Sequence, residues 1–282
     1  VPWDSTGKIS FDHIYTEPDP RAFFGTLRRL DYAIPQQAKA YFAQLIDEYR
    51  ADQDVKKPTV LDLGCSYGVN AALHRCDTSM ERLYDHYANS ESLSRDELIA
   101  HDRRMAERHD GGDGVRFIGL DTSAPALDYA LSAGFIDEAI HADLESEDPT
   151  EEQRALLADV DIVISTGCVG YVTEKTLVRI AREARPWMAH FVLRMFSYEP
   201  VAASLAELGY ETAGVDGVFR QRKFASEEER TQILDNLSVA GVDPRGLEAD
   251  GRLYARLFVS RPNGTADGLA AVLNALPLLD QG

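Results

Sequence analysis

Apolar positions along the chain switch between two periods, regularly enough to mark out most elements. In QAKAYFAQLIDEYR, Ala38, Tyr41, Phe42, Leu45, Ile46 and Tyr49 recur at three- and four-residue steps, which predicts an amphipathic helix. PTVLDLG is a short apolar run entering a glycine-containing turn, the pattern of a buried strand, and ALHRC begins a short helix after it. Further on, VRFIGLD predicts a strand and SAPALDYALSAG a helix ended by Gly134. EAIHADL, DIVISTG and HFVLRMFS are the next strands, separated by helical EEQRALLADV and EKTLVRIAREA and followed by helical VAASLAELG. Two late strands, near YETAGVDGVFRQRKF and RLYARLFVS, flank helical EEERTQILDNLSVAG. Alternation of this length predicts an α/β fold: a doubly wound, mostly parallel seven-stranded sheet with helices on both faces.

Three stretches depart from that rhythm. Residues 1–35 are interrupted by Pro18 and Pro20 and show no clear period; with the helix after them they form an N-terminal segment, 1–57, expected to act as a helical lid. Residues 77–113 are polar and rich in His and Arg, and predict a helical insertion between strands one and two. Met80, Leu83, Tyr84 and Tyr87 share one face of its first helix, and Ser94 with Glu97 forms a capping box that starts the second. The body, 58–262, is followed by a tail, 263–282, whose AVLNALPLL is expected to dock on the body or on a second subunit, as in a homodimer.

Composition narrows the partners. With 47 acidic against 29 basic residues the formal charge is −18, which argues against nucleic acid or an anionic membrane as partner. No run of apolar residues is long enough to span a bilayer. VPWDSTGK lacks the pattern of a secretory leader and reads as a trimmed terminus. Cys65, Cys76 and Cys168 are odd in number and without metal-like spacing, so a reducing, cytoplasmic setting and no metal are expected.

In a doubly wound sheet the carboxyl ends of the strands carry the ligand. After strand one stands Asp62-Leu63-Gly64-Cys65-Ser66-Tyr67-Gly68, where glycine lets backbone approach a ligand and the next helix offers free N–H groups. Asp121-Thr122 closes strand two, where an acid can accept both hydroxyls of a ribose. Asp143-Leu144 closes strand three, and Ser165-Thr166-Gly167-Cys168 closes strand four. This ordered set resembles the class I S-adenosylmethionine-dependent methyltransferases over about residues 58–260. The resemblance implies that S-adenosyl-L-methionine is the cofactor and S-adenosyl-L-homocysteine its product. It also implies that the Gly64–Gly68 loop, with Cys65 and Ser66, holds the methionine moiety, with Asp62 ordering that loop or reaching the amino group. Asp121 and Thr122 would serve the ribose, Asp143 and Leu144 the adenine, and Ser165 and Thr166 the reacting end; by its place in the N-terminal segment, Tyr15 either closes over the cofactor or merely packs. Ser66 stands where the family usually has glycine.

A nicotinamide dehydrogenase is the competitor within this fold. Its fingerprint needs G-x-G-x-x-G, whereas the chain has G-x-x-x-G, and Asp121 lies 57 positions beyond Gly64. A catalytically silent, methyltransferase-like binding subunit is the competitor from another class. Among acceptors, the missing Asp/Asn-Pro-Pro-aromatic motif after strand four and the acidic charge disfavour nucleic acid. The additions around the sheet look like those of a small-molecule methyltransferase of bacterial specialised metabolism, with an aromatic or heterocyclic acceptor methylated on N, O or C. Having only six lysines among the 29 basic residues suits a high-GC bacterial source.

Little covalent chemistry is left to such a protein, because in-line positioning does most of the work. Where a base is needed, the candidates by location are His86 and His101 in the insertion, Tyr171 after strand four and Glu199 after strand five, with His13 and His109 behind them. The plainer reading of each insertion histidine is a solvated surface position. His141 is expected in the core, and His74 packed on the first helix. Cys65 and Cys168 are expected to line the pocket as small filler. Tyr67, Phe196 and Tyr198 form either an aromatic wall near the methyl group or plain core.

Overall fold

The computed structural model describes residues 12–109 and 114–264; the tail from 265 onward lies outside the described residues. Five strands run parallel: β1 (Thr59–Leu63), β2 (Arg116–Asp121), β3 (Glu138–His141), β4 (Ile162–Thr166) and β5 (Trp187–Leu193). β6 (Tyr210–Gly214) and β7 (Phe219–Lys223) both pair antiparallel with β8 (Arg252–Pro262), which is itself antiparallel to β5. The order β3-β2-β1-β4-β5-β8-β6 reverses direction at β1/β4, and this is the doubly wound, Rossmann-like sheet that the alternation predicts.

Among the described residues seven strands lie along this path, and an eighth, β7, pairs with β8 off it. The stretch 210–223, expected as one strand, breaks at Asp216-Gly217, where Gly217 takes φ +107°. β6 and β7 therefore lie end to end along one edge of β8, against Ser260 and Phe258 for β6 and Ala255 to Arg252 for β7. β7 carries this edge toward the ligand-bearing ends of the parallel strands, since Ala255 pairs with both Phe219 and Leu193, the last residue of β5.

Helices cover both faces because both faces of the strands are apolar, as in β1, where every residue is buried. On one face lie α3 (Ile34–Gln53), α4 (Val69–Arg75) and α7 (Ala124–Ser132), with Phe42, Ile46, Leu127 and Ala130 packed on Val60, Phe117 and Phe191. On the other lie α8 (Glu151–Leu157), α9 (Glu174–Ala184) and α10 (Glu199–Glu207), joined to Leu61, Ile118, Val163 and Met188 through Leu157, Leu177 and Leu205. α11 (Glu227–Val239) closes the end of the sheet, with Ile233 and Leu237 against Leu193 and Leu253.

The N-terminal segment is more ordered than its sequence implies. In place of irregular chain there are α1 (Asp12–Tyr15) and α2 (Arg21–Arg29). Pro20 is the N-cap of α2, a place where a missing N–H costs nothing, so it starts the helix it was expected to interrupt. The insertion forms α5 (Met80–Ala88) and α6 (Arg95–His109). The Ser94–Glu97 capping box is present, with the Glu97 N–H donating to Ser94 Oγ at 3.3 Å and the Ser94 N–H to Glu97 Oε2 at 2.8 Å. α1, α2, α5 and α6 pack with α4 and α7 around Phe23, Leu83, Tyr87, Leu98 and Tyr129, and this second core takes in Tyr67, near the end of the glycine turn. Among the described residues no helix is long and apolar enough to cross a membrane.

Candidate functional site

The turn after β1 is built for close approach. The N–H groups of Gly64 and Cys65 both donate to Leu120 O, at 2.8 and 3.3 Å, which ties the turn to the end of β2. Gly64 has φ +68°, and a Cβ there would lie 2.8 Å from Cys168 Cβ, so only glycine fits. Ser66 takes φ +51°, a strained choice for a residue with a Cβ. A charge-assisted bond offsets that strain: the Ser66 N–H donates to Asp121 Oδ2 at 2.8 Å. Gly68 then caps α4.

Two acids frame the turn. Asp62 is 0 % exposed; its Oδ1 accepts from Asn70 Nδ2 at 2.9 Å, and its Oδ2 is buried without a hydrogen-bond partner. Burial, opposed by the Asn70 bond and reinforced by the charge of Asp121, pushes Asp62 up to about 7. The Ser66 hydroxyl is buried and unpartnered as well. Asp121 is half-buried, and its Oδ1 accepts from the Ser123 N–H at 2.9 Å, so each of its oxygens already holds one backbone amide and keeps a free lone pair. Thr122, next in line, is exposed, and its carbonyl bonds to His141 Nε2 at 3.0 Å.

Asp143 is exposed past β3 and accepts from Ser146 Oγ at 2.7 Å and the Glu145 N–H at 3.1 Å. The Ser146 bond, against a small opposing effect of burial, holds its carboxyl below the ordinary range, so it stays ionised. Leu144 is 3 % exposed and packs with Leu120 and Ile140, which leaves little of its side chain for a ring above. Thr166 ends β4, and its Oγ1 accepts from Asn70 Nδ2 at 3.2 Å. Ser165, expected at the reacting end, is instead fully buried within the sheet, and its Oγ pairs with His190 Nδ1 at 2.7 Å.

The N-terminal segment lies across this turn. Tyr67 is buried and donates its hydroxyl to the carbonyls of Ile14 and Glu17, at 3.0 and 2.9 Å. Ser123 Oγ donates to the Tyr15 carbonyl at 2.5 Å, and the Tyr15 ring stands edge-on to Phe23. Further along, the Ala33 N–H donates to Gln221 O and the Lys223 N–H to Leu30 O, so the segment is stitched to β7. Between these anchors sits Tyr32, hydrogen-bonded by Thr166 and near Asp62; burial holds its phenol well above the ordinary range. The sequence marks this segment as a lid but singles out neither Tyr32, Asn70 nor Gln221. Gln221 reaches Gly167, where a Cβ would lie 2.7 Å from its Nε2.

The candidate bases do not gather at one place. His86 Nε2 is 2.5 Å from Asp102 Oδ1, and the other Asp102 oxygen accepts from the hydroxyls of Tyr87 and Tyr129 at 2.8 and 2.6 Å. His101 stacks on His86, so the two histidines belong to the packing of α5, α6 and α7 rather than to a solvated surface. Asp102 is 0 % exposed and accepts from both tyrosines, and one ligand atom from each of His86, His101 and Asp102 lies within 4.8 Å of the others. Tyr171 is 37 % exposed in the loop after β4, edge-on to Phe196 at 6.0 Å, and Glu199 is exposed at the first residue of α10. His13 is exposed, and the side chain of His109 lies outside the described residues.

Other expectations change in detail. His141 is exposed rather than core, because it is the last residue of the edge strand β3. The Cys65 side chain turns into the main core against Gly119, which has no Cβ to obstruct it. Cys168 is half-buried and hydrogen-bonded to Leu63 O, and burial pushes its thiol up to about 12, against a nucleophilic role. Tyr67 belongs to the helical core, apart from Phe196 and Tyr198, and Tyr198 stacks on Phe258 at 4.5 Å.

No family model matches the chain, and no curated protein matches it significantly. Among solved structures it is similar to the plantazolicin methyltransferase BpumL in complex with SAH, with 11% identity and a TM-score of 0.42 over 89% of this chain and 93% of that one. A putative sarcosine dimethylglycine methyltransferase from Galdieria sulphuraria gives 14% identity and a TM-score of 0.41 over 78% and 84%. Magnesium protoporphyrin IX methyltransferase (ChlM) from Synechocystis PCC 6803, with bound SAM, gives 12% and 0.38 over 79% and 80%.

Proposed function

We propose that the chain is an S-adenosylmethionine-dependent methyltransferase acting on a small, planar acceptor. The observation that carries this reading is the pair of acids around the glycine turn: Asp62, buried with one oxygen unpartnered, and Asp121, bonded to the amide of Ser66. A buried carboxylate oxygen without a donor is costly unless a ligand supplies one, and the ammonium of a methionine moiety is a suitable donor. Asp121 would take the ribose hydroxyls on its remaining lone pairs, and the ionised Asp143 the adenine amino group.

When bound, the cofactor supplies an electrophilic methyl carbon on a sulfonium sulfur. The chain's own share is then to bind, orient and exclude water. Gly64 and Ser66 hold the turn at the approach distance, and Thr166 and Tyr32 fix the floor beside Asp62. The segment from Ile14 to Ala33, anchored on Tyr67, Ser123 and β7, serves as the cover. With His86 bonded to Asp102, Tyr171 and Glu199 are the candidate proton acceptors that stand near the ends of β4 and β5. Positioning is therefore assigned the larger part of the rate enhancement, on the order of several kcal/mol.

The test is turnover. Incubation with methyl-labelled S-adenosylmethionine and a panel of small aromatic and heterocyclic metabolites is expected to yield labelled product and S-adenosylhomocysteine. Cofactor binding without label transfer to any member would support a silent binding subunit instead.

A further inference from the structure

At the far side of the sheet from β3, where the end of β5 meets the start of α10, β6 and β8, these elements enclose a concavity of about 430 Å³. Its walls include Met195, Phe196, Tyr198 and Phe258, and the volume is in the range of small-molecule sites. We propose that it binds the anionic end of a planar aromatic ligand, with Arg256 as the counter-charge. On the methyl-transfer reading above, that ligand is the acceptor.

Four observations support the assignment. First, Arg256 and Phe258 are two residues apart on β8 and project to the same side, with the guanidinium over the Phe258 ring at 5.4 Å. Second, Gly214 pairs with Phe258 across the sheet, and its missing side chain makes room. A Cβ there would lie 3.4 Å from Arg256 Nη2 and 3.6 Å from Phe258 Cε1. Third, the two arginines of the lining differ. Arg194 is taken up by Glu248 Oε2 at 2.5 Å and the Asp243 carbonyl at 2.9 Å, whereas no acidic side chain among the described residues pairs with Arg256. In a chain of charge −18, an arginine that faces a cavity and pairs with no acidic side chain of the described residues is one that can serve a ligand. Glu199, exposed at the start of α10, is the acidic member of the lining.

The fourth observation links the cavity to the candidate reaction site. Phe196 separates the two: its ring lies against Gly170, where a Cβ would be 2.3 Å from Phe196 Cδ2, and edge-on to Tyr171. Gly170 follows Cys168, which in turn meets Gly64. A ring seated among Phe196, Tyr198 and Phe258 is thus one aromatic side chain from the loop after β4. Arg256 would grip its carboxylate in a planar, two-pronged pair that an alcohol cannot form.

The test uses fluorine NMR with 4-fluorobenzoate and 4-fluorobenzyl alcohol as probes, on the wild-type chain and on Arg256→Gln. The benzoate is expected to bind wild type in the millimolar range, at least about tenfold tighter than the alcohol. Arg256→Gln should lose that preference, and Gly214→Val should weaken both probes by filling the cavity. Equal binding of the benzoate to wild type and Arg256→Gln overturns the proposal, as does a wild type that binds neither probe. Calorimetry with S-adenosylhomocysteine on the same proteins separates the two readings. Homocysteine-nucleoside binding with no benzoate preference removes the cavity assignment alone. A benzoate preference without nucleoside binding removes the cofactor reading and leaves the anion site standing.

Discussion

At the scale of single residues, Asp62 is the group whose protonation matters most. Its folded-state value of about 7 lies above that of an exposed aspartate because burial penalises the charged form. The folded chain therefore binds more protons here than the unfolded chain between about pH 4 and pH 7, and Asp62 lowers stability as pH rises through that window. Ligand binding runs the other way, since an ammonium beside the unpartnered Oδ2 favours the carboxylate. S-adenosylhomocysteine affinity is expected to rise from about pH 6 to pH 8 in the wild type, and to be weaker and flat across that range in Asp62→Asn. Calorimetry at several pH values checks this; the same slope in both proteins would remove Asp62 from the ammonium site. The strand-end acids were legible in the sequence because each closes an apolar run. Tyr32, Asn70, Gln221 and His190 were not, because their partners lie far away in the chain and come near only through the fold.

At the scale of elements, the apolar period found the parallel strands and the helices between them, and it placed Met80, Leu83, Tyr84 and Tyr87 on the buried face of α5. It missed the buried side of α6. Among the charges of RDELIAHDRRMAERH, nothing distinguishes Asp102 from a solvated aspartate, yet Asp102 is the residue that joins three helices. It also missed the break between β6 and β7, since VDG inside an alternating run marks a turn without saying on which edge the chain continues. Asp102→Ala leaves His86, Tyr87 and Tyr129 without their acceptor, and breaking such a buried arrangement costs about 3–5 kcal/mol. Urea unfolding of this variant should show a loss of that size, with S-adenosylhomocysteine affinity much less affected; a loss under about 1 kcal/mol would mean that the network is not what docks the insertion.

At the scale of the whole molecule, the chain is a doubly wound sheet to which three additions give character. The N-terminal segment crosses the strand ends from Ser123 to β7, the insertion supports it through the shared helical core, and β6 walls the cavity that holds Arg256. The large negative charge has local sources as well as a global meaning: Asp62 and Asp121 frame the glycine turn and Asp143 stands past β3, while Glu227 and Glu228 lie in the first turn of α11. The methyl-transfer reading depends on a nucleoside cofactor held by Asp62, Asp121 and Asp143. The direct measurement is calorimetric titration of S-adenosylhomocysteine into the wild-type chain and into Asp121→Ala. Saturable one-to-one binding by the wild type, reduced at least about a hundredfold in Asp121→Ala, is the predicted result. Equal binding by the two proteins, or none by the wild type, would contradict it.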